Sequence, residues 1–287
     1  MMDACAISLV GQPWDQAAEG WNRHSSTIRA WLADATAAML DAARIQAGAR
    51  VLDIAAGAGG QTIDIARLVG PHGHVLATDI SATILSLATK NAGAAGLNNV
   101  TTQVIDAQAP GLEGQNFDAA VSRLGLMFCQ APLTAFEQAR GALRAGGRFS
   151  ALVFSEPHCN PCLSIMMSTA LRHAGLPPRS PFAPGSLLSL GRPGLLESLL
   201  NAAGFIDVEV RALAAPFRLP SSRDYTEFVR TAGTPIMEIL LPLLPAKQRA
   251  AWDDMAEQLN VFSTPTGWVG PNELLLCAAT APPLSVS

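Results

Sequence analysis

Val51-Leu52-Asp53-Ile54-Ala55-Ala56-Gly57-Ala58-Gly59-Gly60 is the stretch whose reading decides the fold. Its first half, three aliphatics around an aspartate, reads as a short buried strand. Its second half, a run of small residues, reads as a tight turn. Behind the turn, Gln61, Asp64 and Arg67 share one stripe of the next nine residues and aliphatics fill most of the rest, as in a packed helix. Strand, side-chain-poor turn and helix N-terminus in that order let a small polar ligand approach backbone N–H groups closely.

Outward from this unit the pattern repeats. His74 to Thr78 is a second strand ending at Asp79, and Ser81 is an N-cap for a helix through Ile84, Leu85 and Leu87 that stops near Gly96. Val100 to Ile105 alternates as a third strand ending at Asp106, and Phe117 to Val121 is a fourth. Pro132 opens a helix that closes at Ala145-Gly146-Gly147, and Arg148 to Phe154 is a fifth strand. Strands alternating with helices at this spacing predict an α/β, doubly wound, mostly parallel sheet covered on both faces. Thr27 to Ile45 reads as helical, with Trp14, Trp21 and Trp31 on this N-terminal arm. Residues 156–184 hold six prolines and no clear period, which predicts a loop or lid. Pro193 to Ala203 reads as a helix, Ile206 to Leu213 as a strand, 221–262 as broken helices, and Glu273 to Thr280 as a closing strand. The last two strands predict an antiparallel pair at the sheet edge, with the helices between them capping the ligand crevice.

Composition limits the partners. Hydrophobic residues are 49% and charged residues 15%, the net charge is −4, and no run of Lys or Arg is present. That predicts no nucleic-acid partner, because phosphate-tracking surfaces are strongly basic. No segment approaches the roughly 20 apolar residues that span a bilayer, so no membrane partner is expected. Met1 to Val10 carries Asp3 and lacks a basic run, and reads as no secretory signal. Five scattered cysteines do not form a disulfide framework. The expectation is a cytoplasmic monomer or homodimer.

Three aspartates, Asp53, Asp79 and Asp106, fall at or just past the carboxyl ends of strands, where ligands of open parallel sheets bind. Asp79 follows the glycine turn by about 20 residues, the separation of an acid that accepts two ribose hydroxyls. A dinucleotide fingerprint beginning at Gly57 puts Thr62 where its third glycine belongs, and no Gly-Lys-Ser/Thr follows the turn. Asp53 would repel a pyrophosphate but suits a ligand with an ammonium or sulfonium charge. S-adenosyl-L-methionine carries both, with one ribose and one adenine.

The order of residues resembles the class I S-adenosylmethionine-dependent methyltransferases, in the small-molecule branch similar to the ubiquinone/menaquinone biosynthesis enzymes. Residues 51–60, Ala77-Thr78-Asp79-Ile80-Ser81, Asp106-Ala107, Phe117-Asp118-Ala119-Ala120-Val121-Ser122 and Leu143-Arg144-Ala145-Gly146-Gly147-Arg148 carry the resemblance. One departure is Ala55, where that family usually has glycine; its methyl is expected to shift the cofactor's methionine moiety slightly. The resemblance implies a seven-stranded Rossmann-like sheet with an antiparallel edge strand and a helical cap. It implies that Asp53 and the backbone near Ala55, Gly57 and Gly59 hold the methionine part. Asp79 would take the ribose, Ile80 the adenine face, and Asp106 with Ala107 the adenine amino edge. Ser122 or Arg123 would line the transferred methyl. The expected division is an N-terminal arm or lid over 1–45, a cofactor-binding core over 46–155, and cap plus remaining strands over 156–287, with a helical insertion about 221–263.

Methyl transfer from a sulfonium is an in-line displacement, so positioning alone can remove roughly 7–11 kcal/mol of barrier. A general base adds about 10²–10⁴-fold and matters most for a phenol or alcohol. His158, beside Glu156 after the fifth strand, is the base candidate; His24 and His173 have weaker cases. Arg123 either binds an acidic acceptor or pairs with a neighbouring carboxylate. Cys159 and Cys162 form a C-x-x-C without a second pair, and no metal is expected. Trp21, Met127, Phe128, Met167 and Phe182, with Met166, Leu187, Leu188 and Phe217, are the candidate acceptor-binding residues, and a Met-rich, low-charge cap favours a hydrophobic or aromatic small molecule. Trp14 and Trp21 either close over the cofactor or pack on the first helix. O- or C-methylation is the leading expectation. Non-methylating chemistry such as elimination or dehalogenation, or cofactor binding without catalysis, are the alternatives.

Overall fold

A computed structural model describes residues 4–283, and the side chains from residue 11 onward. Met1 to Asp3, part of the segment read as no secretory signal, lie outside the described residues. The chain begins with α1 (Ala4–Arg23) and α2 (Ser25–Ala42). It then alternates β1 (Arg50–Ile54), α3 (Gly60–Val69), β2 (His74–Asp79), α4 (Ala82–Ala94), β3 (Val100–Val104), β4 (Phe117–Arg123), α5 (Pro132–Ala142) and β5 (Leu143–Phe154). Strands β1 to β5 are mutually parallel where they pair. The centre of the sheet is apolar on both faces, with Val51, Leu52, Val75, Ala120, Val121 and Leu152 all fully buried, as an α/β sheet covered by helices requires.

After β5 come α6 (Pro161–Ala174), α7 (Leu195–Ala202), β6 (Ile206–Ala214), β7 (Phe217–Leu219), α8 (Ser222–Ala232), α9 (Thr234–Leu240), α10 (Pro245–Leu259), β8 (Ser263–Thr264), β9 (Gly267–Gly270) and β10 (Glu273–Thr280). The seven-stranded sheet has the order β3-β2-β1-β4-β5-β10-β6. Strand β10 runs antiparallel to both neighbours, so the reversed strand lies one place in from the edge and β6 itself forms the edge. The order reverses at β1 and β4, which puts the topological switch point at the carboxyl ends of those strands.

Three features depart from the sequence expectation. Residues 156–184 are not all loop: α6 starts with Pro161 in its first turn and ends on Gly175 in the left-handed conformation. Proline suits a first helical turn and glycine a C-terminus, so here both punctuate a helix. The helix opened by Pro132 ends at Ala142, and β5 begins at Leu143. Strands β7, β9 and β8 form a small antiparallel sheet that short, irregular segments did not announce.

The first two helices behave differently. α2 lies on the main sheet against β5 and β10, while α1 bridges α4 of the core and α8 of the cap. The α1–α8 approach is close enough that a Cβ on Gly20 would come within 1.8 Å of the Thr231 carbonyl oxygen. His24 Nε2 and Thr231 Oγ1 are hydrogen-bonded at 2.9 Å beside that crossing.

Candidate active site

A cleft of about 540 Å³ opens at the switch point. The glycine turn forms one wall, and its geometry follows from its residues. Gly57 and Gly59 have φ +58° and +85°, in the left-handed region that favours glycine. A Cβ on Gly59 would lie 3.1 Å from that of Ala88, so the turn also packs directly on α4. Gly57 N–H donates to Asp79 Oδ2 (3.0 Å) and Ser81 N–H to Asp79 Oδ1 (3.0 Å). These bonds hold the carboxylate at the cleft wall, while burial pushes its pKa up. The expected cap is present: Ile84 N–H donates to Ser81 Oγ at 3.0 Å.

Asp106, at the next strand end, accepts from Gln108 N–H (2.9 Å) and Gln108 Nε2 (3.1 Å). It lines the cleft with Ile80, Ile105 and Ala107. α1 runs along this end. Asp15 accepts from Ser81 Oγ, and a Cβ on Gly11 would come within 2.9 Å of the Ile80 carbonyl oxygen.

Two arginines also line the cleft. Arg29 is ion-paired to Asp64 at 2.8 Å. Arg123, at the end of β4, donates from Nη1 to Thr36 Oγ1 on α2 (2.9 Å). Its Nη2 would stand 3.1 Å from any Cβ on Gly60. Burial draws its pKa down to about 10, which leaves the guanidinium charged at neutral pH.

Of the residues expected at the cofactor, Ala55, Gly57, Asp79, Ile80, Asp106, Ala107 and Arg123 line the cleft. Asp53, Gly59 and Ser122 do not. Asp53 is sealed beneath the turn, where Thr62 Oγ1 donates to Oδ2 at 2.6 Å and Gln61 Nε2 to Oδ1 at 3.0 Å. Asp53, expected to help hold the methionine part, thus has both oxygens engaged in tying β1 to α3. Desolvation raises its pKa to about 6 despite these two bonds. Ser122 Oγ is buried without a partner. Ala55 adopts φ +55°, and a Cβ on Gly125 would lie 2.3 Å from the Ala55 methyl. The methyl that departs from the family pattern is thus accommodated by a bare glycine on the facing turn.

A second, inner chamber of about 80 Å³ shares Trp14, Trp21, Leu124 and Phe128 with the cleft. Aromatic and aliphatic side chains dominate its walls, among them Trp31, Phe217, Tyr225 and Phe228. Trp14 and Phe128 meet edge-on at 4.6 Å. Two polar atoms among its lining residues, Trp21 Nε1 and Thr234 Oγ1, are buried without a hydrogen-bond partner. Leu124, between the two spaces, has φ +58°, an unfavourable conformation for a leucine held by its N–H bond to the Leu152 carbonyl at 2.8 Å.

Of the residues expected at the acceptor, Trp21 and Phe128 line both spaces and Met127 the inner one. Met166, Leu187 and Phe217 line the inner chamber as well. Met167, Phe182 and Leu188 line neither; the Phe182 ring lies under the Arg192 guanidinium at 5.2 Å. His158 is exposed and lines neither space, so the base candidate stands apart from both. His173 is bound to Asp254 at 2.7 Å in the α6–α10 contact. Burial pushes the thiols of Cys162 and Cys277 up to about 12, and no group of His, Cys, Asp or Glu among the described residues is placed to hold a metal ion. No helix among the described residues is long and apolar enough to cross a membrane. Sequence reading missed Tyr225 and Phe228, whose i, i+3 spacing on amphipathic α8 reads as ordinary core. It also missed Arg29, Gln108 and Cys129, which carry no motif.

The fold is that of solved methyltransferases, among them one in complex with S-adenosyl-L-methionine. Residues 45–171 match the family described as a methyltransferase domain. This part of the chain is related to the ubiquinone/menaquinone biosynthesis C-methyltransferase UbiE of Hahella chejuensis, 35% identical over 126 residues, 44% of this chain and 50% of that protein. The aklanonic acid methyltransferase DauC of Streptomyces sp. (strain C5) is 28% identical over 157 residues, 55% of this chain and 69% of that protein. The chain thus spans about half the length of the first of these relatives. The phosphoethanolamine N-methyltransferase 2 of Haemonchus contortus, solved in complex with S-adenosyl-L-methionine, has the same fold. Its TM-score is 0.56 at 18% identity, over 91% of this chain and 57% of that one.

Proposed function

We propose that this protein transfers the methyl group of S-adenosyl-L-methionine to a small, largely apolar or aromatic acceptor, at oxygen or carbon. The observation that carries this reading is the aromatic-walled inner chamber opening beside the cofactor cleft through Trp14, Trp21, Leu124 and Phe128. A charged or highly polar acceptor would lose hydration there without replacement. Trp21 Nε1 and Thr234 Oγ1, both unpartnered, favour an acceptor that carries a polar atom on an apolar frame.

The residues present fit the cofactor. Asp79 offers acceptors to a ribose diol, Ile80 and Ile105 offer apolar contact to a base, and Asp106 with Ala107 lies at the same end. A Cβ on Gly57 would meet nothing nearer than Ile84 Cδ1 at 3.9 Å, so the bare turn leaves room for a ligand against its backbone. The cofactor supplies an electrophilic methyl on a sulfonium. This chain's residues would orient donor and acceptor and exclude water.

The test is incubation with methyl-labelled cofactor and a panel of phenols, quinols and thiols. Label appearing in a phenol or quinol product supports the reading. S-adenosylhomocysteine formed without any labelled organic product would replace it with non-methylating chemistry, and binding with no turnover of any acceptor would replace it with a cofactor-binding role.

A further inference from the structure

We infer that Arg123 seats the α-carboxylate of the cofactor's methionine moiety, so that the cleft selects for an amino-acid-bearing cofactor through a residue beyond the glycine turn. The inference rests on the cofactor proposed above. Arg123 lines the cleft, yet it forms no ion pair among the described residues: the nearby Asp64 is paired to Arg29 and, more distantly, to Arg67. Asp53, which attracts it electrostatically, has both oxygens occupied by Thr62 and Gln61. Asp64 attracts it as well, but neither carboxylate is in contact with it, and a half-buried guanidinium with no carboxylate in contact gains from a bound anion.

Geometry selects which anion. Thr36 on α2 fixes one arm of the guanidinium, and the other arm stands over Gly60, where a side chain would crowd it. That location is the first residue of α3, while Asp79, bonded to the turn at Gly57, and Asp106, past β3, present carboxylates elsewhere on the cleft wall. A ligand with a diol and a carboxylate is therefore oriented by hydrogen bonds to Asp79 at the diol and by charge at the carboxylate. Arginine suits the role because its planar fork matches a carboxylate with two parallel donors. The carboxylate of the cofactor is chosen over one on the acceptor because the inner chamber is apolar and none of its lining residues is Arg123.

The experiment compares S-adenosylhomocysteine with its decarboxylated form, S-adenosyl-3-thiopropylamine, by calorimetry on the wild type, Arg123→Gln and Arg123→Lys. The wild type should favour the carboxylate by about 10–100-fold, the range for a hydrogen-bonded charge. In Arg123→Gln the preference should fall to within about threefold, through weaker binding of S-adenosylhomocysteine and unchanged binding of the amine. Arg123→Lys should keep part of the preference. A wild type that binds both ligands equally overturns the inference even if the glutamine variant does not fold. So does a glutamine variant that discriminates as well as the wild type. If neither ligand binds the wild type, the cofactor assignment itself fails and this inference with it. If the preference persists without Arg123 but binding of salicylate to the S-adenosylhomocysteine complex is lost, the arginine serves an acidic acceptor instead.

Discussion

The cofactor cleft and the inner chamber adjoin, sharing Trp14, Trp21, Leu124 and Phe128, yet they are built in different ways. The cleft takes Asp79, Asp106 and Arg123 from the carboxyl ends of β2, β3 and β4 or the turns just past them, with side chains of α1 to α4 closing around them. The chamber takes side chains from α1, α2, β5, α6, β7, α8 and α9, together with the Leu124–Phe128 turn. Its chemistry is apolar, and none of its contributors is set apart from core by type. Backbone and short motifs make a binding site that a local sequence reading can find. A site made by packing distant helices does not announce itself locally.

The sharpest way to break the comparison is to remove the polar anchor of the cleft and leave the chamber intact. Asp79→Ala deletes the acceptor for two ribose hydroxyls, each charge-assisted bond being worth roughly 1.5–3 kcal/mol. S-adenosylhomocysteine affinity should fall at least about 150-fold, or about 3 kcal/mol, in calorimetry. Saturation at about 100 times the dissociation constant should raise the wild-type stability by roughly 2.7 kcal/mol, an upward melting shift that the variant should lack at the same ligand concentration. An undiminished shift in the variant would remove Asp79 from the site.

A second test separates the two aspartates at neighbouring strand ends. Asp53 is fully buried, and its pKa stands at about 6 against 3.8 for an ordinary carboxyl. Between those values the folded state holds a proton that the unfolded state has lost, so stability falls as pH rises through this window. The gap corresponds to about 3 kcal/mol of folding stability lost by pH 7 or above. Asp53→Asn, which keeps the shape and can still bond Gln61 and Thr62, should melt higher than the wild type at pH 8. That advantage should vanish by about pH 4. Its affinity for S-adenosylhomocysteine should stay within a few-fold of the wild type, because the residue does not line the cleft. A loss of affinity without the pH-dependent gain would restore Asp53 to the role the sequence suggested.

These outcomes bear on what the sequence could reveal. Strand β2, the Ser81 cap and strand β10 were legible because a period-two run or a capping serine is a local signal. So were the positions of Asp79, the last residue of β2, and of Asp106, two residues past β3. The surroundings of Asp53 were not legible, because spacing does not reveal that Gln61 and Thr62, eight and nine residues on, fold back to occupy its oxygens. Helix α6 was lost among prolines, although Pro161 and Gly175 delimit it in the places those residues favour. The chamber was only partly legible. Met167 and Phe182 satisfy the same compositional rule as Met166 and Phe217, and only the packing of α6 and the position of β7 distinguish them.

The smallest effect lies at the junction of the two regions. Ala55 occupies the left-handed region at φ +55°, and its methyl fills the space that Gly125 leaves by having no side chain. Gly125→Ala would place two methyl carbons 2.3 Å apart, so either the Leu124–Gly125 turn or the glycine turn must shift. Overpacking of this kind costs roughly 1–3 kcal/mol. Ala55→Gly alone should be close to neutral or mildly stabilising, since glycine tolerates positive φ but gains entropy when unfolded. The double variant should recover most of the loss, giving a coupling of about 1 kcal/mol or more between the two sites. Thermal or urea melts of the four proteins measure it. Additive effects would mean that the alanine methyl and the bare glycine do not compensate each other. Compensation would explain how the chain carries alanine where its relatives' pattern has glycine, with the turn that separates cofactor from acceptor absorbing the change.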